Sequence, residues 1–371
     1  MRKSALFCFG LVVTALVALG LIVLSSASEA NGLRLYDDAF YFMRRQFEYL
    51  GVGIVLAVIV ANFDYRHWRN HEFLTWGLFA VVIVLLVLVL RCEAINGSHR
   101  WMKVGPVRVQ PSEFAKLMTV ILTAVWLDKS GWRVELFKSG ALVPAVMIGV
   151  LALPILLEPD FGSVMVVGLV GFLMMFVAGV RILHMLPFIL GGLGLVVFKV
   201  ATNANRMSRL FDEEKQYQVR MALAAIGNGG LWGAGLGESM QKQLYLPEAH
   251  TDFVFAVGAE ELGICFSVAV LLLFMAFFAL SVYIARKAAD RFGRFLVIGM
   301  AFVIFFQAMF NLGVVCKALP TKGMALPFFS YGGTNLLSAF FAVGTILSVG
   351  IRTYRDQKWK KNPLNRILSR H

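Results

Sequence analysis

The stretch FVFAVGAEELGICFSVAVLLLFMAFFALSVYIA, residues 253–285, contains only two charged side chains, Glu260 and Glu261. About 20 apolar residues in a helix are enough to cross the hydrocarbon core of a bilayer. This stretch therefore predicts a membrane-spanning helix. Its extra length predicts that the helix is tilted or extends beyond the bilayer.

The whole chain has the composition of a membrane protein. Of its 371 residues, 59% are hydrophobic and 15% are charged, with a mean hydropathy of +0.74, whereas soluble domains carry about 25% charged residues. We predict an all-α polytopic membrane protein, a single integral-membrane domain over residues 1–371. Its apolar runs predict about ten transmembrane helices, at approximately 5–26, 46–63, 73–92, 112–128, 139–157, 162–180, 184–203, 253–285, 294–316 and 333–351.

The first apolar run ends at a segment of small and polar residues, SSASEANG, as the apolar region of a secretory signal peptide does. The run is longer than the usual apolar region of such a peptide, and the rest of the chain is also membrane-like. We therefore predict an uncleaved first span.

The formal net charge of +13 would suit nucleic-acid binding. The basic residues are instead scattered through short segments between spans and in the tail, so no nucleic-acid partner is predicted. In membrane proteins such residues mark the cytoplasmic side. The pattern places both termini in the cytoplasm, with a cytoplasmic tail at about 352–371. It places outside the segments at about 93–111, 204–252 (the large loop between spans 7 and 8) and 317–332.

The first outside segment and the start of the next span contain NGSHRWMKVGPVRVQPSEFAKL, residues 96–117. Glu113 and Lys116 are three residues apart and share one face of the predicted helix. They are either a lysine paired with its carboxylate near the interface or part of a site for an anionic head group. Arg100 and Trp101 either anchor the chain at the membrane interface or bind the same group.

Two shorter segments interrupt the spans. In LEPDFGS, residues 157–163, Glu158 and Asp160 are expected to be loop polar groups and a helix cap. In KALPTKGMALPFFSYGGTNLL, residues 317–337, prolines and glycines break an apolar sequence. Such backbone is tolerated at membrane depth only where protein or a cavity surrounds it, so this segment predicts a re-entrant loop over a site.

The large loop has two parts. Its first half, NRMSRLFDEEKQYQVRMALAAIG, predicts a partly amphipathic helix near the surface. The glycine-rich stretch GNGGLWGAGLGES, residues 227–239, lacks the preceding strand and the GK[ST] of a phosphate-binding loop, so no nucleotide site is predicted.

The end of the large loop, YLPEAHTDFVFAV at residues 245–257, places acidic groups where a helix begins. Asp252 is a favourable N-cap residue there. Glu260 and Glu261 follow about 12 Å deeper along the same helix. Carboxylates within a membrane normally face a cavity or a partner, so the helix carries a column of acids from its mouth inward.

These segments, in this order, resemble the SEDS (shape, elongation, division and sporulation) family of cell-wall proteins, over essentially the whole chain. The motifs PEAHTDF and LPTKG followed by SYGG resemble the division member of the family more than the elongation member. FFSYGGTN stands in place of a more usual SYGGSS, and AVGAEELG in place of AIIGEELG, but neither change removes an ionisable group. The resemblance implies a ten-span fold in the bacterial inner membrane and peptidoglycan glycosyltransferase activity on lipid II at the septum. It also implies a class B penicillin-binding transpeptidase and other divisome membrane proteins as partners.

The resemblance places the family's catalytic aspartate on Asp252 and the tryptophan of its RW motif on Trp101. A carboxylate can accept the proton of an acceptor sugar hydroxyl as that hydroxyl attacks the donor's anomeric carbon. Undecaprenyl pyrophosphate is already a good leaving group and needs cations more than an acid. No cofactor is identified, and a divalent cation stays an open alternative. The candidate residues are Asp252 as the base; Arg100, Trp101, Glu113, Lys116, Glu248, His250, Lys322 and Ser330 for substrate; and Asp160, Glu260 and Glu261 as supporting polar groups.

Three alternative functions stay open. A lipid II flippase would also have ten spans, intramembrane charges and broken helices, but it needs a polar path through the inner half of the bilayer. The elongation-type polymerase would share the same chemistry. A scaffold that only activates a partner synthase would leave the acidic residues of residues 245–261 unexplained.

Overall fold

Helices form nearly all of the computed structural model, which describes residues 3–92, 99–105, 107–158, 160–201, 213–240, 249–319 and 323–361. The helices are α1 (Lys3–Tyr36), α2 (Tyr41–Asn62), α3 (His67–Asn70), α4 (Glu72–Val89), α5 (Pro111–Ser130), α6 (Val143–Leu157), α7 (Phe161–Ala178), α8 (Ile182–Ala201), α9 (Glu213–Gly229), α10 (Val254–Lys287), α11 (Arg291–Val315) and α12 (Gly333–Lys361). A 3₁₀ turn (Gly131–Glu135) and a π-helical segment (Phe137–Leu142) precede α6.

Each of the ten predicted spans falls on one of these helices, which confirms the prediction of an all-α polytopic membrane protein. Eight helices in the described residues are long and apolar enough to cross a bilayer, namely α1, α2, α4, α6 with its π-helical start, α7, α10, α11 and α12. The apolar part of α8, Ile182–Leu195, is shorter. Helix α5 carries charged residues and is buried along most of its length, because it packs among α4, α6, α7, α11 and α12 rather than against lipid.

Two helices extend about ten residues beyond their predicted ends. Helix α1 continues to Tyr36, and α12 continues to Lys361. Apolarity marks only the part of a helix that lies in hydrocarbon. The extension of α12 is instead held by polar contacts, because Arg66 Nη2 lies 2.6 Å from Asp356 Oδ2. The predicted helix in the large loop is confirmed for Glu213–Gly229.

A short β-hairpin, which the sequence analysis did not predict, precedes α5. Strands β1 (Met102–Val104) and β2 (Val107–Val109) are antiparallel, with Met102 opposite Val109. Thr334 ties the hairpin to α12, because its hydroxyl donates to Arg108 O and accepts from Gln110 N, each at 3.2 Å.

Helix α10 is broken at Gly263, where φ is 75° and ψ is −169°. The segment after α9 fills the break. Ala234 N donates to Glu260 O at 2.9 Å, and Ile264 N donates to Gly230 O at 2.9 Å. Backbone groups freed within a membrane helix must find other partners, and this exchange supplies them.

The two ends of the bundle differ. The end where the hairpin, α9 and residues 323–332 meet is called the loop end. The tail end is the opposite one, where the turn between α10 and α11 meets the end of α12. At the tail end the Asp290 carboxylate accepts from Tyr65 Oη at 2.9 Å and from Arg66 Nε at 3.3 Å, which joins the segment after α2 to the turn between α10 and α11.

Candidate functional site

A cavity of about 280 Å³ opens at the loop end, between the hairpin, α5, α7, α11 and residues 323–335. Six residues nominated from the sequence line it, and they come from four separate parts of the chain: Arg100, Trp101, Glu113, Lys116, Asp160 and Asp252. The fold therefore brings together carboxylates, cations and an aromatic ring that are up to about 150 residues apart in sequence.

Asp252 lies in the turn just before α10. The helix begins at Val254, and its N-cap is Phe253, which makes no side-chain cap bond. The interpretation of Asp252 as the N-cap is therefore wrong, because the helix begins one residue later than expected and Phe253 occupies the N-cap position. Its carboxylate consequently lines the cavity instead of capping the helix.

Two neighbours fix the position of Asp252. The Asn311 side-chain amide donates to Asp252 O at 2.8 Å and to Met324 O at 2.6 Å, and so joins α11 to both cavity walls. Gly323 lies against the carboxylate, since a Cβ atom at that residue would stand 2.5 Å from Asp252 Oδ2. Only a residue without a side chain fits there without displacing the carboxylate.

Lys116 and Glu113 form a buried ion pair, which confirms that they share a helical face. Lys116 Nζ lies 2.6 Å from Glu113 Oε1, and the two side chains are 3% and 6% exposed. Lys116 also donates to Gln307 Oε1 at 3.0 Å, and Glu113 Oε2 accepts from Ser338 Oγ at 3.0 Å. An ammonium has three donors, so the pair leaves Lys116 one N–H for the cavity.

Asp160 caps α7, as the sequence predicted, because its carboxylate accepts from Ser163 N at 3.2 Å. It also accepts from the hydroxyls of Ser163 and Ser112, and Arg100 Nη1 lies 3.9 Å away. Burial works to raise the pKa of Asp160, but the Arg100 guanidinium and the Ser163 hydrogen bonds outweigh it and hold the pKa below its usual value. Asp160 thus stays ionised beside Arg100.

Glu158, two residues earlier, has the opposite ionisation. Its side chain is fully buried at the end of α6. Burial, together with the nearby charge of Asp160, raises the pKa of Glu158 to about 8, although Arg100 opposes the shift. Near neutral pH the turn therefore carries one ionised and one mainly protonated carboxyl group.

His250 and Ser330 do not line the cavity but support its wall. His250 Nδ1 lies 3.3 Å from Asn31 Nδ2, and its backbone oxygen accepts from Tyr331 N at 2.9 Å. The Ser330 hydroxyl accepts from Leu326 N at 2.7 Å.

Glu260 and Glu261 also lie outside the cavity lining. Glu260 accepts a short hydrogen bond from the Ser239 hydroxyl and lies 3.5 Å from Asn228 Nδ2, while Glu261 accepts from Ser26 of α1. Both carboxylates therefore join the upper half of α10 to neighbouring elements. The remaining candidates, Glu248 and Lys322, lie outside the described residues.

Two buried amides one turn apart on α11, Gln307 and Asn311, were not predicted from the sequence. Polar groups are costly within a membrane helix and normally have a partner or a function. Their one-turn spacing in an otherwise apolar span was the available signal.

In the part of the chain that the structure describes, no three His, Cys, Asp or Glu side chains are grouped so that they could hold a metal ion. The cavity carboxylates are instead bound to neighbouring donors, as Glu113 is to Lys116 and Asp160 is to Ser163. We therefore assign no cation site.

The sequence and the fold were compared with those of known proteins. A family model described as a cell cycle protein, FtsW/RodA/SpoVE, matches residues 6–355. The chain is 36% identical over 352 residues to the probable peptidoglycan glycosyltransferase FtsW of Trichlorobacter lovleyi, covering 91% of each protein. It is 37% identical over 348 residues to the stage V sporulation protein E of Bacillus subtilis, covering 90% of this chain and 93% of the relative.

A solved structure gives the same result. A chain from a peptidoglycan synthase complex, solved to show how polymerization and crosslinking are coordinated, matches with a TM-score of 0.75 and 26% identity. The match covers 94% of this chain and 98% of that one. These matches confirm the resemblance drawn from the motifs, and because they extend over nearly the whole length, this chain belongs to the FtsW/RodA/SpoVE family of cell cycle proteins.

Proposed function

We propose that this chain polymerises lipid II into glycan strands during septal cell-wall synthesis. Relatives that cover most of its length are named peptidoglycan glycosyltransferases, and the chain is a glycosyltransferase of this family. The observation that carries the proposal is the cavity at the loop end, where Asp252 lies together with Arg100 and Lys116.

Asp252 is the general base in this proposal. Its carboxylate takes the proton of an acceptor sugar hydroxyl while that oxygen attacks the anomeric carbon of the donor. A positioned base of this kind contributes about 10²–10⁴-fold to the rate. The contacts from Asn311 and the close approach of Gly323 support this role, because they restrict where the carboxylate can lie.

The leaving group is undecaprenyl pyrophosphate, which cations stabilise as its charge develops. Lys116 is already neutralised by Glu113 at 2.6 Å, so it contributes a directed hydrogen bond more than a net charge. Arg100 has a longer contact, 3.9 Å to Asp160, and its side chain is 29% exposed. Arg100 lines the cavity and is partly exposed, so we assign it the main electrostatic role.

The distribution of buried charge favours polymerisation over lipid flipping. Six charged side chains are buried in the described residues: Glu113, Lys116, Glu158, Asp160, Glu260 and Glu261. All six lie in the loop-end half of the bundle. In the described residues the charged groups of the tail-end half, such as Arg66 and Asp290, are partly exposed and paired with each other, which gives less support to a path for a lipid-linked pyrophosphate through that half.

The septal role, the cellular location and the partners are the finer parts of the proposal. The motif LPTKG followed by SYGG resembles that of the division member, and several relatives carry the name FtsW. The distribution of basic residues supports cytoplasmic termini, which puts the cavity on the side where the wall is built. We infer a class B penicillin-binding transpeptidase as partner, because the matched structure is a complex that both polymerises and crosslinks. Lipid II, membrane lipid and other divisome proteins complete the proposed set.

The test is polymerisation of fluorescent lipid II by purified protein, with and without the transpeptidase. Asp252→Asn should lower the rate about 10²–10⁴-fold, as loss of a general base does. The matched control is Asp37→Asn, an exposed aspartate at the loop end whose φ of 55° suits asparagine; it should retain activity. Polymer formed by Asp252→Asn at the wild-type rate would remove the base. If the wild type makes no polymer but moves lipid II across vesicle membranes, the flippase alternative is correct.

A further inference from the structure

A second cavity, of about 290 Å³, lies far from the first, between α7, α10 and α11 near the tail end. Both α7 and α10 pack against α11, so α11 forms the floor and the other two form walls. The lining is apolar and repeats at four-residue spacing on each helix: Leu173 and Val177, Phe278 and Val282, and Ile298 and Phe302. Side chains four apart share one helical face, so the three stripes form one continuous groove.

Two arginines stand at the tail-end rim of this groove. Arg286 continues the α10 stripe, four residues after Val282, and Arg294 begins the α11 stripe, four residues before Ile298. Both are exposed. Among the residues that the structure describes, neither forms a salt bridge, and the acid between them, Asp290, is bound to Tyr65 and Arg66. Within the described ranges, the rim therefore carries two positive charges that are not paired with a carboxylate.

The depth of the groove matches one leaflet. From Arg286 to Phe278 is eight residues of helix, about 12 Å, while half of a hydrocarbon core is about 15 Å. The arginines then lie at the level of the phosphates and the apolar stripes lie along acyl chains. We propose that this groove binds an anionic phospholipid, with its phosphate between Arg286 and Arg294 and one acyl chain along α11.

Each half of the groove argues against a different occupant. A free phosphate would need the arginines but not the three apolar stripes. A transmembrane helix of a partner would fill an apolar face but has no phosphate to place between two guanidinium groups. Basic pockets between membrane helices at this level are the usual form of anionic lipid sites. The proposal does not depend on the polymerase activity of the other cavity.

Native mass spectrometry of the purified protein with added lipid tests the proposal. Phosphatidylglycerol should bind more tightly than phosphatidylcholine with the same acyl chains. Arg286→Gln with Arg294→Gln should weaken phosphatidylglycerol binding about 25-fold, since each cation near a phosphate contributes about fivefold. Lys287→Gln with Arg291→Gln removes the same charge from the same turn but not from the groove, and should change binding less than threefold. Unfolding midpoints in phosphatidylcholine show that both double variants are folded.

A second variant tests the apolar stripes. Val282→Trp fills the groove and leaves both arginines, so it should weaken binding of the lipid, while millimolar glycerol phosphate should not compete with the lipid. If the Arg286/Arg294 and the Lys287/Arg291 double variants lose the same amount of phosphatidylglycerol binding, the lipid is responding only to diffuse surface charge, and the proposed site is overturned. Unchanged binding in Val282→Trp would also overturn it. So would a photo-crosslinker at residue 282 in cell membranes that attaches only to polypeptide and not to lipid.

Discussion

Removing the buried Glu113–Lys116 pair one member at a time, and then together, separates its structural role from its role toward substrate. Lys116→Met leaves the Glu113 carboxylate buried with only the Ser338 hydroxyl, at 3.0 Å. Glu113→Gln leaves the Lys116 ammonium with Gln307, also at 3.0 Å. Each single change strands one charge and should cost about 3–5 kcal/mol of unfolding free energy. The double variant has no buried charge left at this pair, so it should be more stable than either single variant.

The activity of the same variants should follow a different order. If Lys116 donates its third N–H to the donor pyrophosphate, the double variant regains stability but makes no more polymer than Lys116→Met. Stability is measured by reversible unfolding in mixed detergent micelles, and polymer by gel analysis of fluorescent lipid II. The control is the pair Arg69–Asp128 at the tail end, 3.4 Å apart and partly exposed, whose removal should cost less than about 1 kcal/mol. Wild-type polymerisation by the double variant would show that the pair is structural only and would refute the substrate role of Lys116.

Three further substitutions test other contacts. Gly323→Ala puts a Cβ atom 2.5 Å from Asp252 Oδ2 and should lower kcat at least about tenfold by displacing the base. Gly332→Ala should have a smaller effect, because its Cβ atom would lie 3.8 Å from Asn335 Cβ. Equal effects of the two substitutions would contradict the role of the close approach at Gly323. Asn311→Leu removes hydrogen bonds to the Asp252 and Met324 carbonyls. It should cost about 2–4 kcal/mol of stability and also lower kcat. A fall in stability without a fall in kcat would show that Asn311 does not position Asp252. Glu158 binds a proton more readily in the folded protein, since its pKa rises from 4.5 to about 8, so the stability of the protein should fall with rising pH across that window by up to about 1.4 kcal/mol per pH unit. Unfolding midpoints measured from pH 5 to 8 should show this slope in the wild type and not in Glu158→Gln. A slope of opposite sign would refute the assignment.

The helices and the local pairs were predictable because they depend on neighbours in sequence. The lengths of the apolar runs predicted the positions of the ten spans, and the three-residue spacing predicted the Glu113–Lys116 pair. The cap at Asp160 followed from its place before an apolar helix. Each of these rests on contacts within one or two helical turns.

Features that depend on distant parts of the chain were not predictable in this way. Asp252 was expected to cap α10, but the contact from Asn311, 59 residues later, holds its backbone in a turn before the helix. The break at Gly263 depends on hydrogen bonds from residues 230–235, since nothing near a single glycine in an apolar run requires it. The hairpin was missed because its strands have three residues each, too few for an alternating pattern to be read.

The break at Gly263 has a mechanical consequence for the enzyme. A straight helix of 34 residues would act as a rigid rod, so any rotation of its lipid-facing part would swing the turn that carries Asp252. With the backbone exchanged to residues 230–235, the upper part of α10 is a separate short lever, fixed to α1 and α9. We therefore expect a tilt of the lower part of α10 to displace Asp252 less than it would in an unbroken helix, because the part next to Asp252 is bonded to α1 and α9.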